Sequence, residues 1–79
     1  MTHTPHELAE EFPEFAYRIE ALKLSDPHFA RLSEEYHQVN RQVHRAETLV
    51  EPMDQFHEED LRKTRARLKD EIYQILTRA

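Results

Sequence analysis

From Phe29 onward the apolar residues fall at Phe29, Leu32, Tyr36, Val39, Val43, Ala46 and Val50, stepping alternately by three and four. That alternation keeps one stripe of a helix apolar and is the seam of a coiled coil. Ser25-Asp26-Pro27 stands just before it. The Asp26 carboxylate is placed to accept from the free amides of a first turn, and the fixed φ of Pro27 suits the first helical position. A long helix over about 27–50 follows, a rod of roughly 36 Å. A second, which Asp54 is placed to cap, runs from there to about residue 78, with Leu61, Leu68, Ile72 and Ile75 on one face and Leu76 widening it. The stretch 49–53, with Pro52 inside it, is about the length that joins two antiparallel helices. A hairpin is favoured over one rod kinked at Pro52. Its register sets Val43 opposite Leu61, Tyr36 opposite Leu68 and Phe29 opposite Ile75. One flank then pairs Glu47 with Arg62, and the other brings Glu35 towards Glu71 with the same sign.

Prolines also punctuate the first third. Thr4-Pro5-His6-Glu7 has the spacing of a capping box and predicts a short helix over about 5–11. Pro13 steers Phe12 into an extended conformation and restarts the chain. A second short helix over about 13–24 then carries Phe15, Ile19 and Leu22 on one face. The expected architecture is all-α: a single domain over 1–79, an antiparallel helical hairpin preceded by one or two short helices. Two helices enclose no centre, so the remaining apolar face must be covered by the N-terminal helices or by a second copy. Ser33, Asn40 and Gln42 on the flanks carry no charge, which leaves partner choice to shape. Self-association, foremost as a homodimer, or binding to another protein is the expectation. Phe29, Leu32, Tyr36, Val39, Val43, Leu61, Leu68, Ile72, Ile75 and Leu76 form its packing surface.

Composition narrows the chemistry. At 79 residues with 38% hydrophobic side chains, the chain is too small to wall off a deep substrate cavity. It has no glycine, so glycine-rich phosphate loops and dinucleotide fingerprints are not expected. It has no cysteine either, which excludes disulfides, thiolate metal sites and a cysteine nucleophile. With a formal charge of -5 and no apolar run longer than Phe15-Ala16-Tyr17, a cytoplasmic protein without membrane attachment is expected.

The order and separation of several short motifs resemble a known family. They are Phe12-Pro13-Glu14, Leu22-Lys23, Asp26-Pro27-His28-Phe29 with Leu32, Arg45-Ala46-Glu47, and Leu68-Lys69-Asp70-Glu71-Ile72 with Ile75-Leu76. Together they resemble the YdcH-like family of small bacterial proteins. The resemblance implies a helical, coiled-coil, cytoplasmic protein of uncharacterised function, with no catalytic or ligand residues to carry over. The chain departs from the pattern in its eleven residues before Phe12 and in a connector without glycine.

The candidate chemistry is sparse. His37 and His44 share a helix face but lie two turns apart, roughly 10 Å, too far to hold one ion, and by the heptad count both are solvated outer positions. His57-Glu58-Glu59-Asp60 lacks the second histidine of a zinc-protease helix. No metal, cofactor or small-molecule substrate is expected. Adjacent carboxylates such as Glu34-Glu35 diverge on a helix, and neither Ser33 nor Thr64 has a triad partner at a defensible spacing, so no enzyme activity is expected. The alternative function is nucleic-acid binding through the basic segment 61–69, in which Arg62, Arg65 and Lys69 share a stripe. Glu58 and Glu59, four residues before Arg62 and Lys63, offset part of that charge. Phe56 and Tyr73 fall off the seam and either pack on the N-terminal helices or mark an outer contact surface.

Overall fold

The computed structural model describes residues 5–48 and 54–78 of the chain, and among them every regular element is helical. In order these are α1 (Leu8–Glu11), a 3₁₀ turn (Pro13–Phe15), α2 (Ala16–Ser25), α3 (Pro27–Glu47) and α4 (Gln55–Leu76). The two long helices pack antiparallel, Arg62 meeting Glu47 at 3.3 Å and Arg65 meeting Asn40 at 3.0 Å. The connection from Leu49 to Met53, including Val50 and Pro52, lies outside the described residues.

Helix ends follow local chemistry. Asp26 caps α3 as its position predicts, its Oδ1 accepting from the amides of His28 (3.0 Å) and Phe29 (3.3 Å). Pro27 occupies the first turn, where its missing N–H costs no hydrogen bond. At the C-termini a glycine-free sequence has no cheap residue for the left-handed cap. Hydroxyls close these ends instead: Ser25, Thr48 and Thr77 each donate to the carbonyl four residues back, at 3.0 Å in every case. The His44 and Tyr73 carbonyls also accept the backbone amides of Thr48 and Thr77, and the same two hydroxyls reach the next carbonyls, of Arg45 (3.2 Å) and Gln74 (3.3 Å), which the ending helix leaves open.

Three sequence expectations need correction here. The first helix begins at Leu8, with Glu7 as its N-cap and no side-chain capping bond, so the capping box does not form; Thr4 lies outside the described residues. The reason is visible at His6, whose φ of 65° is left-handed and ends any helix through it. Asp54 stands at the N-cap of α4, but its carboxylate makes no capping bond. On α4 the apolar stripe turns more than the heptad register predicts. Leu76 is fully buried and Ile75 only partly, because Leu68, Ile72 and Leu76 repeat every four residues as an ordinary α-helix allows.

The core has three contributors. Phe29, Leu32 and Tyr36 of α3 meet Leu68, Ile72 and Leu76 of α4, and Leu8, Phe12 and Ile19 from the N-terminal segment complete the same cluster. Val39 and Ile75 pack against its edge. Val43 is fully buried near the far end of the hairpin, where Leu61 is half-buried. Residues 5–25 thus form an arm that lies along the hairpin. The seam left open by two helices is covered within one chain, by the first of the two coverings that the sequence allowed.

Candidate functional site

The site with most structure behind it is the groove between α3 and α4 and the arm that occupies it. Apolar contact fixes the arm in three places, through Leu8, Phe12 and Ile19. Phe12 is the centre of an aromatic group. Its ring stacks on Tyr73 at 5.5 Å between centroids, meets Phe15 edge-on at 6.5 Å, and lies 5.7 Å below the Lys69 ammonium. Both aromatic and cation contacts of this kind add to burial. Tyr73 is therefore a packing residue for the arm, on the ring face that meets Phe12, while it remains 48% exposed overall.

Polar groups of the hairpin hold the arm's backbone and carboxylates. The Tyr36 hydroxyl donates to the His6 carbonyl at 2.6 Å, and Asn40 Nδ2 donates to the Pro5 carbonyl at 2.8 Å. Lys69 Nζ donates to Glu11 Oε1 at 2.9 Å, and His37 Nδ1 lies 3.2 Å from Glu7 Oε2. At the other end Arg18 donates to the Arg78 carbonyl at 2.7 Å, tying α2 to the end of α4. The left-handed His6 aims two successive carbonyls, its own and that of Pro5, at α3; no glycine is present to take that conformation.

Electrostatics follows these contacts. The hydrogen bond and charge of Lys69 hold the Glu11 carboxyl below the usual carboxylate range, against a smaller opposing effect of burial. Burial pushes the Tyr36 hydroxyl up to about 12, helped by the negative charge of Glu11. For Arg62 lost hydration is outweighed by Glu47 and Glu58, and its guanidinium is held charged more firmly than usual.

The basic stripe proposed for nucleic acid is engaged by the protein itself. Arg62 bonds Glu58 at 2.7 Å and Glu47 at 3.3 Å, Arg65 bonds the Asn40 side-chain oxygen at 3.0 Å, and Lys69 bonds Glu11. The Glu47 pair was legible from the hairpin register and the Glu58 pair from the four-residue spacing, whereas the partners of Arg65 and Lys69 were not. Asn40, read as a flanking position, is 1% exposed, and Ser33 is likewise buried. A hairpin covered by a third layer turns one flank into interior, and the seam's periodicity does not say which flank. His37, read as a solvated outer position, is half-buried against Glu7 for the same reason.

Beside the arm lies a cleft of about 430 Å³ between α1, α2 and α3, lined among others by Leu8, Ile19, Ser33, Tyr36 and the Glu20 and Glu34 side chains. The Ser33 hydroxyl is buried without a hydrogen-bond partner. The arm therefore fills its groove incompletely. Outside the core, Tyr17 and Leu24 stand 89% and 92% exposed, two turns apart on one face of α2, and Phe56 is 80% exposed. The first two were not singled out from sequence, although their spacing of seven carried the signal. Among the described residues no three His, Asp or Glu side chains converge as a metal site, and no helix is long and apolar enough to cross a membrane.

A family model described as a protein of unknown function, DUF465, matches residues 29–76. The chain belongs to the DUF465 family. The YdcH-like resemblance is consistent with that assignment. The DUF465 match takes in the hairpin from the first buried residue of α3 to the last of α4, while the arm that covers the hairpin precedes it. No curated protein and no solved structure matches the chain significantly.

Proposed function

We propose that this DUF465 chain is a protein–protein interaction module whose hairpin receives a short helical segment with apolar anchors in its groove. One observation carries the reading. The groove lies in the family-matched residues, and the segment that fills it lies before them, so receptor and occupant are separate parts of one sequence. Groove recognition of this kind rests on a few apolar anchors, and Leu8 of α1, Phe12 just after it and Ile19 of α2 supply three here. Each fully buried Leu, Ile or Phe contributes roughly 1.5–3 kcal/mol before ordering costs. Such a surface binds and holds; it carries no reacting groups.

The contacts of Arg62, Arg65 and Lys69 weaken the nucleic-acid alternative, because phosphates would have to compete with carboxylates and a buried amide already in place. A fluorescent peptide with the sequence of residues 5–25, added to the full chain, tests the module. The tethered arm competes at an effective concentration of about a millimolar. Binding in trans is therefore weak to the parent chain and clearly tighter to a chain carrying Phe12→Ala, whose own arm is loosened. A peptide with serine at positions 8, 12 and 19 should not bind either chain. Equal binding of the two peptides, or binding of neither to the loosened chain, would refute the proposal.

A further inference from the structure

We infer that residues 5–25 exchange between two copies of this chain, each arm filling the groove of the other copy's hairpin with Asp26 as the hinge. This inference rests on the helix-in-groove reading and names its partner. Arm and hairpin are joined by a single non-helical residue: Asp26 lies between Ser25, the last residue of α2, and Pro27, the first of α3. Its φ of −125° and ψ of 102° are extended, the conformation that a following proline favours. Rotation about the Asp26 backbone is enough to swing the arm away.

Both helix ends beside the hinge are sealed by bonds that travel with their own helix. Asp26 caps α3 through His28 and Phe29, and the Ser25 hydroxyl closes α2 on Ala21. Opening the hinge leaves them intact. The polar contacts that do break are those between arm and hairpin: Tyr36 to the His6 carbonyl, Asn40 to the Pro5 carbonyl, His37 to Glu7, Lys69 to Glu11 and Arg18 to the Arg78 carbonyl. A second copy offers the same partners in the same places, so exchange restores every one of them.

Leu24 adds a reason for the exchanged form to be preferred at high concentration. It is a large apolar side chain, 92% exposed, two residues before the hinge. In the closed monomer nothing covers it. In an exchanged pair the two hinges pass one another at the twofold axis, and the Leu24 side chains of the two copies are brought together there. The second copy thus supplies both the occupant of the groove and a cover for the exposed face beside the hinge.

The absence of cysteine makes the test direct, since introduced thiols are the only ones present. Chains carrying only Glu11→Cys and chains carrying only Lys69→Cys are unfolded together, refolded at high concentration, and treated with a short thiol-to-thiol linker. Both positions are partly exposed, so the core is left alone. The mixture should yield several-fold more covalent dimer than either variant by itself, because only an exchanged arm sets position 11 of one copy beside position 69 of the other. Equal yields in all three samples overturn the exchange. Leu24→Asp, harmless to a closed monomer, should lower the dimer fraction by sedimentation; an unchanged fraction also counts against it. Trans peptide binding without mixed cross-linking would sink the exchange and leave the groove reading standing, whereas loss of peptide binding removes both.

Discussion

Asn40→Ala isolates the polar joint between the arm and the two long helices. Asn40 is buried, donates to the Pro5 carbonyl at 2.8 Å and accepts from Arg65 at 3.0 Å. Losing the neutral bond costs about 1 kcal/mol, and losing a bond to a charged donor costs about 1.5–3 kcal/mol. Arg65 is only half-buried and regains part of its loss from water, which puts the total at about 2–3 kcal/mol. Urea unfolding followed by helical circular dichroism reads it as a midpoint lowered by about 2–3 M, for a denaturant slope near 1 kcal/mol/M. A double-mutant cycle with Arg65→Ala should return a coupling of about 1 kcal/mol. Asn40→Asp keeps an acceptor for Arg65 but sets an oxygen against the Pro5 carbonyl. It should therefore loosen the arm, seen as faster amide exchange at residues 8–12, while α3 and α4 stay protected. A loss below about 0.5 kcal/mol for Asn40→Ala, or no coupling to Arg65, would refute this account of the joint.

Three further outcomes follow from the same contacts. Phe12→Ala removes a buried ring with two aromatic neighbours and should cost about 3 kcal/mol in urea unfolding, with trypsin cleavage at Arg18 and Lys23 becoming faster as the arm loosens. Tyr36→Phe should cost about 1 kcal/mol at neutral pH through the bond to His6. Because folding raises the Tyr36 pKa from 10.0 to about 12, the parent should lose stability as pH rises through that window, and Tyr36→Phe should remove this part of the loss. Folding lowers the pKa of Glu11, so its pairing with Lys69 stabilises above the ordinary carboxylate range and is lost as pH falls through the folded value. Glu11→Gln should flatten that acid limb in a pH series of melting curves, and an identical slope would argue that the pair contributes nothing.

Much of the frame was legible in single residues. Asp26 and Pro27 announce the start of α3 because capping and proline geometry act over three residues, and the structure has both bonds in place. The three-four spacing from Phe29 to Val43 marks a buried face, and Phe29, Tyr36 and Val43 are indeed fully covered. The antiparallel register brought Glu47 to Arg62. The candidate surface was less visible. Arg65 and Lys69 read as a basic stripe because their partners, Asn40 and Glu11, are far away in sequence. Tyr73 read as an outlier because its neighbour Phe12 sits on another element.

The sequence by itself determined that the chain is helical, where α3 begins, and which stripe of each long helix is apolar, since caps and periodicity are local and need no knowledge of neighbours. Tertiary structure alone decided which flank of the hairpin became interior. Once residues 5–25 lay along that flank, Asn40 and Ser33 changed from surface to core, Lys69 turned to Glu11 of the arm, and Arg65 found its partner in the now buried Asn40. The physical reason is that periodicity specifies a face but not what covers it, and the cover here comes from a segment joined to the hairpin by one extended residue.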